Sequence, residues 1–250
     1  MGVARAGGAC RADPGERAAG AVPDTAAQAH LGPGPRGRVA ARQPLVTGSD
    51  QVRLSTLPRT LAAKFGPVES AVPDPRRKNA AVALILRPRA DGDDPAVRQC
   101  DFLAIRRADS DGDPWSGQMA LPGGRLDEAD PGLLGAAIRE TCEETGVDLN
   151  GAGTVLGRLE ALRPMAVRIP PLTIWPFAFR VGAGRAARVA SHEVASVHWF
   201  PLEALEDPAN QGSYPWKYHG LVRHFPCVRV EGQVIWGLTY RVLTRFLEAM

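Results

Sequence analysis

The sequence lacks any apolar run long enough to span a membrane, has few cysteines and contains no compact basic run. Its four cysteines are widely spaced without a C-x-x-C pair, so we expect neither a zinc site nor a disulfide framework. A net charge of +3 over 250 residues does not indicate nucleic-acid binding. No apolar secretion signal is recognisable, and these absences together predict a cytoplasmic protein without membrane or nucleic-acid partners.

Three regions differ in composition. Residues 1–44 are rich in alanine, glycine, proline and arginine and hold almost no large apolar side chain. Such a segment cannot bury enough surface to offset its ordering entropy, so we expect a disordered N-terminal extension. We expect residues 45–78 to form a lead-in segment with a short helix, and residues 79–250 to form one globular domain.

Short apolar runs bounded by turn-forming residues follow residue 79, which is typical of β-strands. These runs are Ala80–Leu86, Phe102–Ile105, Thr154–Leu159, Thr173–Val181, Val194–Phe200, Val228–Val230 and Gln233–Trp236. We expect the last two to form a hairpin, Ser213–Tyr218 to form an aromatic loop open to ligand contact, and Leu238–Ala249 to form an amphipathic helix. The predicted fold class is α/β, or α+β, with a mixed β-sheet between α-helices.

The most informative stretch contains a predicted helix over Pro131–Thr145. Asp130 before Pro131 is typical of a helix start, because a carboxylate caps free amides and proline fixes φ at the first helical position. Gly146 is typical of a helix end, because glycine readily takes the left-handed conformation.

Three carboxylates share one face of this helix. At 100° per residue, Glu140, Glu143 and Glu144 fall within an arc of about 100°. Carboxylates this close repel one another unless a hard cation neutralises them, and clustered oxygen ligands suit Mg²⁺ or Mn²⁺. An ordinary solvated acidic face is the alternative interpretation.

The residues around these glutamates match a known signature. Gly124 is followed, after fourteen residues, by the run RETCEETGV from Arg139 to Val147. This arrangement resembles the Nudix box, a loop-helix-loop motif of pyrophosphate hydrolases, with one extra residue in the spacing and Asp127–Asp130 in place of the first glutamate. Together with Phe102–Arg106 and the run SGQMALPGG that ends at Gly124, it resembles the coenzyme A pyrophosphatase branch of that family.

The resemblance implies a Nudix fold and a metal-dependent hydrolase that cleaves the diphosphate linkage of a nucleoside diphosphate derivative. The branch implies coenzyme A or acyl-coenzyme A as substrate, giving phosphopantetheine and adenosine 3′,5′-bisphosphate. ADP-ribose, NADH or a nucleotide sugar is the alternative, because Asp113 stands where the branch has an arginine suited to a 3′-phosphate. A third reading is a non-catalytic ligand sensor. Many members of the family are homodimers, which implies that state here.

The resemblance also implies roles for individual residues. The ligands of Mg²⁺ or Mn²⁺ would be three carboxylates and one backbone carbonyl: Glu140, Glu143, Glu144 and Gly124. Substrate contacts would come from Arg106, Gly123 and Gly124. The catalytic residues would be Glu144, Arg139 and Glu193.

Within that catalytic set, Arg139 is expected to orient Glu143 from one helical turn away. The family uses different general bases in different branches, and both Glu144 and Glu193 are candidates. Glu193 lies in a predicted loop before a strand, where a solvated acid with no catalytic role is the alternative.

Overall fold

A computed structural model of the chain describes residues 52–90, 92, 94–111, 115–164, 171–218 and 221–250. The extension predicted for residues 1–44 lies outside these residues, as does Asp113. The domain boundaries drawn from composition therefore stay predictions.

A mixed sheet of seven strands lies at the centre of the described structure. Strand β1 (Lys78–Pro88) pairs in parallel with β6 (Leu172–Arg180) and antiparallel with β2 (Cys100–Arg107) and β4 (Gly123–Arg125). The other members of the sheet are β3 (Met119–Ala120) and β7 (Val194–Pro201), which both pair with β2, and β5 (Thr154–Arg158), which pairs with β6.

A second, three-stranded antiparallel sheet contains β8 (Gln211–Tyr218), β9 (Leu221–Val230) and β10 (Gln233–Trp236). The predicted hairpin between the last two strands is confirmed. The loop predicted for Ser213–Tyr218 is wrong, because this segment forms β8. Its aromatic side chains find cross-strand partners, as in the stack of Tyr214 on Trp236 at 4.3 Å between ring centroids.

Helices cover both faces of the mixed sheet because side chains of β1 alternate between two apolar clusters. Ala81, Ala83 and Ile85 pack with helix α2 (Leu133–Thr145). Leu84 and Leu86 belong to the cluster that includes helices α1 (Leu57–Phe65) and α4 (Gly237–Leu247). A short helix, α3 (Leu149–Ala152), follows α2. The predicted fold class, a mixed sheet between helices, is confirmed.

Helix α2 differs from its prediction at the N-terminus. It begins at Leu133 rather than Pro131, with Gly132 at φ 122° as the capping residue and no side-chain cap. Asp130 does not cap the helix, because both of its carboxylate oxygens accept hydrogen bonds from Arg139. The predicted C-terminus is confirmed, since Gly146 is left-handed at φ 67°.

Two of the four cysteines, Cys100 and Cys227, are free thiols and lie buried in the described structure. Within the described ranges, no helix combines the length and apolarity required to cross a membrane.

Gly157 lets α1 pack closely on β5. Its φ is 153°, and a Cβ there would lie 2.9 Å from the Cβ of Leu61. We expect Gly157→Ala to lower the free energy of unfolding by about 2–4 kcal/mol, from backbone strain plus overpacking, as measured by urea denaturation.

Gly184→Ala is the matched control for this variant. Gly184 also has a positive φ, 72°, but an added Cβ would meet no atom within 4 Å. Strain alone should cost about 1 kcal/mol. Equal losses in the two variants would contradict the close approach of α1 to β5.

Candidate active site

The site is built where β4 meets α2. The carboxylate of Glu144 is buried, with the residue 3% exposed, and it accepts a hydrogen bond from the backbone N–H of Gly123 at 2.8 Å. Gly123 has φ 148°, and a Cβ there would lie 2.3 Å from the carbonyl oxygen of Ala81. Only glycine lets β4 approach β1 this closely, and that approach aims the N–H at Glu144.

The next glycine contacts a second carboxylate. A Cβ added to Gly124 would lie 2.3 Å from both the carboxyl carbon and Oε1 of Glu140. The carboxylate of Glu140 therefore lies directly against the backbone of Gly124. Two acids one helical turn apart thus meet two consecutive glycines of β4.

Burial dominates the electrostatics of these two acids. Burial raises the pKa of Glu144 to about 8, although the Gly123 N–H and the charge of Arg107 lower it. Burial also raises the pKa of Glu140, partly offset by Arg139. The charge of the exposed Glu193 is a further, smaller cause that raises both pKa values.

Arg139 joins the loop before α2 to the helix. Its guanidinium donates to both oxygens of Asp130, at 2.8 and 3.0 Å, and lies 3.0 Å from carboxylate oxygens of Glu140 and Glu143. It also donates to the carbonyl of Arg125 at 3.2 Å. Arg139 thus contacts Glu143, the acid that it is expected to orient, and the orienting role stays a prediction. The bond to Asp130 was missed, because no local pattern relates residues nine positions apart across a helix start.

Glu143 is the most exposed of the three predicted carboxylate ligands. The side chain of Glu143 is 55% exposed and turns toward Arg139. In the described part of the chain, no three His, Cys, Asp or Glu side chains are grouped so that they could hold a metal ion. The role of Glu143 as a ligand stays a prediction.

The residues present nevertheless fit a hard divalent cation. Glu140 and Glu144 offer carboxylate oxygens beside a glycine backbone, which is the donor chemistry that Mg²⁺ and Mn²⁺ take. Arg139 offsets only part of the rise in the pKa of Glu140, and Arg107 only part of the rise in the pKa of Glu144. A cation at this position would offset the remaining charge.

The other predicted residues lie around the end of β2. The carbonyl of Glu193 accepts the N–H of Ala108 at 2.8 Å, which ties its loop to β2. The N–H of Ala190 donates to the carbonyl of Glu144 at 3.1 Å, which ties the same loop to α2. Arg106 lies near the end of β2, with Nη2 3.3 Å from the carboxylate of Asp109.

The comparisons with known proteins agree with this geometry. The profile of the NUDIX domain matches residues 76–219, more than half of the chain, and the chain therefore belongs to the Nudix family. The family prediction made from the box is confirmed. The coenzyme A pyrophosphatase branch stays a prediction.

Two relatives show how much of the chain is shared. An uncharacterized Schizosaccharomyces pombe protein is 32% identical over 161 residues, 60% of this chain, and the chain spans about half of that protein's length, 49%. NudL of Yersinia pestis, an uncharacterized Nudix hydrolase, is 28% identical over 173 residues, which cover 69% of this chain and 79% of NudL.

Solved Nudix structures resemble the chain at lower identity. A MutT/nudix family protein from Enterococcus faecalis is 17% identical and covers 72% of this chain and 65% of its own, with a TM-score of 0.45. A binary complex of the Ap4A hydrolase of C. elegans is 24% identical and covers 50% of this chain and 81% of its own, with a TM-score of 0.39. We infer no substrate from either likeness.

Metal binding by Glu144 predicts a thermal shift. At a Mn²⁺ concentration about 100-fold above Kd, the Tm of the metal-stripped protein should rise by about 5–10 °C, because the ion binds only the folded state. Glu144→Gln should lose most of this shift, since an amide keeps the hydrogen bond from Gly123 but not the charge. Scanning calorimetry measures both, with the exposed Glu128→Gln as control. A full shift in Glu144→Gln would contradict the assignment.

The ion pair of Asp130 with Arg139 predicts a pH dependence of stability. Hydrogen bonds from Arg139 lower the pKa of Asp130 below its ordinary value of 3.8. The contribution of ionised Asp130 to the free energy of unfolding is therefore present above pH 3.8. It is lost as the pH falls through the lower pKa that Asp130 has in the folded protein. Asp130→Asn should cost about 1–3 kcal/mol at pH 7, with the difference from wild type shrinking below pH 3.8 in urea denaturation. An equal cost at both pH values would exclude this ion pair as the cause.

Proposed function

We propose that the protein is a metal-dependent hydrolase that cleaves the diphosphate linkage of a nucleoside diphosphate derivative. The first candidate substrate is coenzyme A or an acyl-coenzyme A, with phosphopantetheine and adenosine 3′,5′-bisphosphate as products. The observation that carries the proposal is the carboxylate pair of the half-buried Glu140 and the buried Glu144 against the Gly123–Gly124 backbone, inside the matched domain.

Glu140, Glu144 and the carbonyl of Gly124 would hold Mg²⁺ or Mn²⁺. The ion would supply positive charge to the diphosphate oxygens and lower the pKa of the attacking water. Arg139 positions the acids of α2, because it contacts Glu140 and Glu143 while Asp130 fixes its orientation. It does not need to contact the substrate in this role.

We assign proton removal from the attacking water to Glu193. Its side chain is exposed and can reach a water, whereas Glu144 is buried with one oxygen bonded to Gly123. The loop of Glu193 is fixed to β2 through Ala108 and to α2 through Ala190. This arrangement holds the proposed base at a set distance from the proposed ligands.

The choice of coenzyme A rests on sequence motifs before and within the box. ADP-ribose, NADH or a nucleotide sugar is the second candidate, favoured by Asp113, an acid where the branch has an arginine. The proposed metal site serves either substrate equally, because both present a diphosphate. A ligand sensor without turnover is the third candidate.

Release of phosphate monoesters with Mg²⁺ or Mn²⁺ tests the proposal across coenzyme A, acetyl-coenzyme A, ADP-ribose and NADH. We expect the fastest turnover on the coenzyme A compounds and a loss of at least about 100-fold in Glu144→Gln. Glu128→Gln, an exposed acid before α2, should keep wild-type turnover.

Glu193→Gln separates the base from the ligands in the same assay. It should lower kcat by roughly 100-fold or more while keeping the Mn²⁺-dependent rise in Tm. Faster turnover of ADP-ribose or NADH than of the coenzyme A compounds would favour the second candidate substrate class. Binding of the compounds without turnover of any would establish the sensor.

A further inference from the structure

Three polar side chains form a row on the face of the mixed sheet opposite α2: Arg106, Ser196 and His198. The register of β2 and β7 places Arg106 opposite Ser196 and Ala104 opposite His198. Because side chains alternate along a strand, all three point to the face where Phe102 and Ala104 join the cluster containing α4. None of the box residues belongs to this row.

The row is fixed at one end and open at the other. The hydroxyl of Ser196 lies 2.7 Å from Nε2 of His198, and the His198 ring stacks on Phe200 with centroids 5.2 Å apart and planes within 5°. At the open end, the side chain of Arg106 is 35% exposed. Its partner Asp109 is 75% exposed and 3.3 Å away, so this acid is held weakly.

The open end of the row lies beside the box. An added Cβ at Gly117 would lie 3.4 Å from Nη2 of Arg106, so the loop leading into the box packs on this arginine. The next residue, Arg107, acts on the carboxyl of Glu144, and Ala108 is bonded to Glu193. Consecutive residues at the end of β2 and directly after it therefore connect the row with the acidic site.

The chemistry of the row suits a dianion separate from the diphosphate. A guanidinium, a hydroxyl and an imidazole together offer several hydrogen-bond donors, and guanidinium recognises phosphate oxygens in particular. A phosphate group would compete directly with the weakly held Asp109 for Arg106. The diphosphate itself would be bound at the metal site proposed for Glu140 and Glu144.

We propose, on the basis of the function proposed above, that Arg106, Ser196 and His198 bind a phosphate monoester on the ribose of the nucleotide substrate. This row would then make the enzyme select nucleotides that carry such a phosphate.

A pair of substrates that differ only in this phosphate tests the row. The full-length protein should have a higher kcat/KM for coenzyme A than for 3′-dephospho-coenzyme A. Ser196→Ala and His198→Gln should each lower the ratio of the two kcat/KM values roughly tenfold or more, through the KM for coenzyme A. Their kcat/KM for 3′-dephospho-coenzyme A should be unchanged.

Ser213→Ala is the matched control. Ser213 also bonds a histidine, with Oγ 3.2 Å from Nδ1 of His224, but it lies on the second sheet. It should leave the ratio at the wild-type value. Equal losses on both substrates in Ser196→Ala, or an unchanged ratio, would overturn the proposal.

A binding measurement separates failure of the row from failure of the hydrolase proposal. Isothermal titration calorimetry compares adenosine 3′,5′-bisphosphate with adenosine 5′-monophosphate, whether or not either coenzyme A compound is cleaved. Tighter binding of the bisphosphate in wild type, lost in Ser196→Ala and kept in Ser213→Ala, supports the row even without turnover. Equal affinity of wild type for the two nucleotides overturns it.

Discussion

The hydrogen bond from the backbone N–H of Gly123 to the buried carboxylate of Glu144 is the contact on which the site depends. This hydrogen bond joins the central sheet to α2. It requires glycine at position 123, because a Cβ there would clash with the carbonyl of Ala81. Burial makes this carboxylate costly to ionise, as its raised pKa shows. A fold that keeps such a group gains from it only when a cation or a proton balances the charge.

Arg139 balances part of the charge of the neighbouring acid, Glu140, and fixes the geometry of the helix acids at the same time. Its planar guanidinium donates hydrogen bonds to both oxygens of Asp130. The loop before the helix, rather than Glu140 or Glu143, therefore sets the orientation of the guanidinium. Glu143 and Glu140 then lie 3.0 Å from the same Nη1 atom. One guanidinium thus contacts three acids, Asp130, Glu140 and Glu143, whereas Glu144 accepts its hydrogen bond from the glycine backbone.

Local patterns in the sequence predicted the sheet between helices, the end of α2 at Gly146 and the acidic face, because periodicity and turn chemistry are short-range signals. Features that depend on distant partners could not be predicted. The residues next to Asp130 predict that it caps the helix. Its carboxylate instead accepts hydrogen bonds from Arg139, and the helix begins at Leu133. The local sequence predicts a loop at Tyr214. This residue lies in β8, where its ring stacks on Trp236 of another strand. The pairing of Arg106 with Ser196 likewise follows from strand register alone.

Anomalous diffraction from a crystal grown with Mn²⁺ tests the central claim, that Glu140, Glu144 and the glycine backbone of β4 form a metal site. The account predicts an anomalous peak coordinated by carboxylate oxygens of Glu140 and Glu144 and by the carbonyl oxygen of Gly124. A peak elsewhere in the molecule would contradict it. A saturated crystal in which Glu144 contacts only Gly123 and no metal would also contradict it.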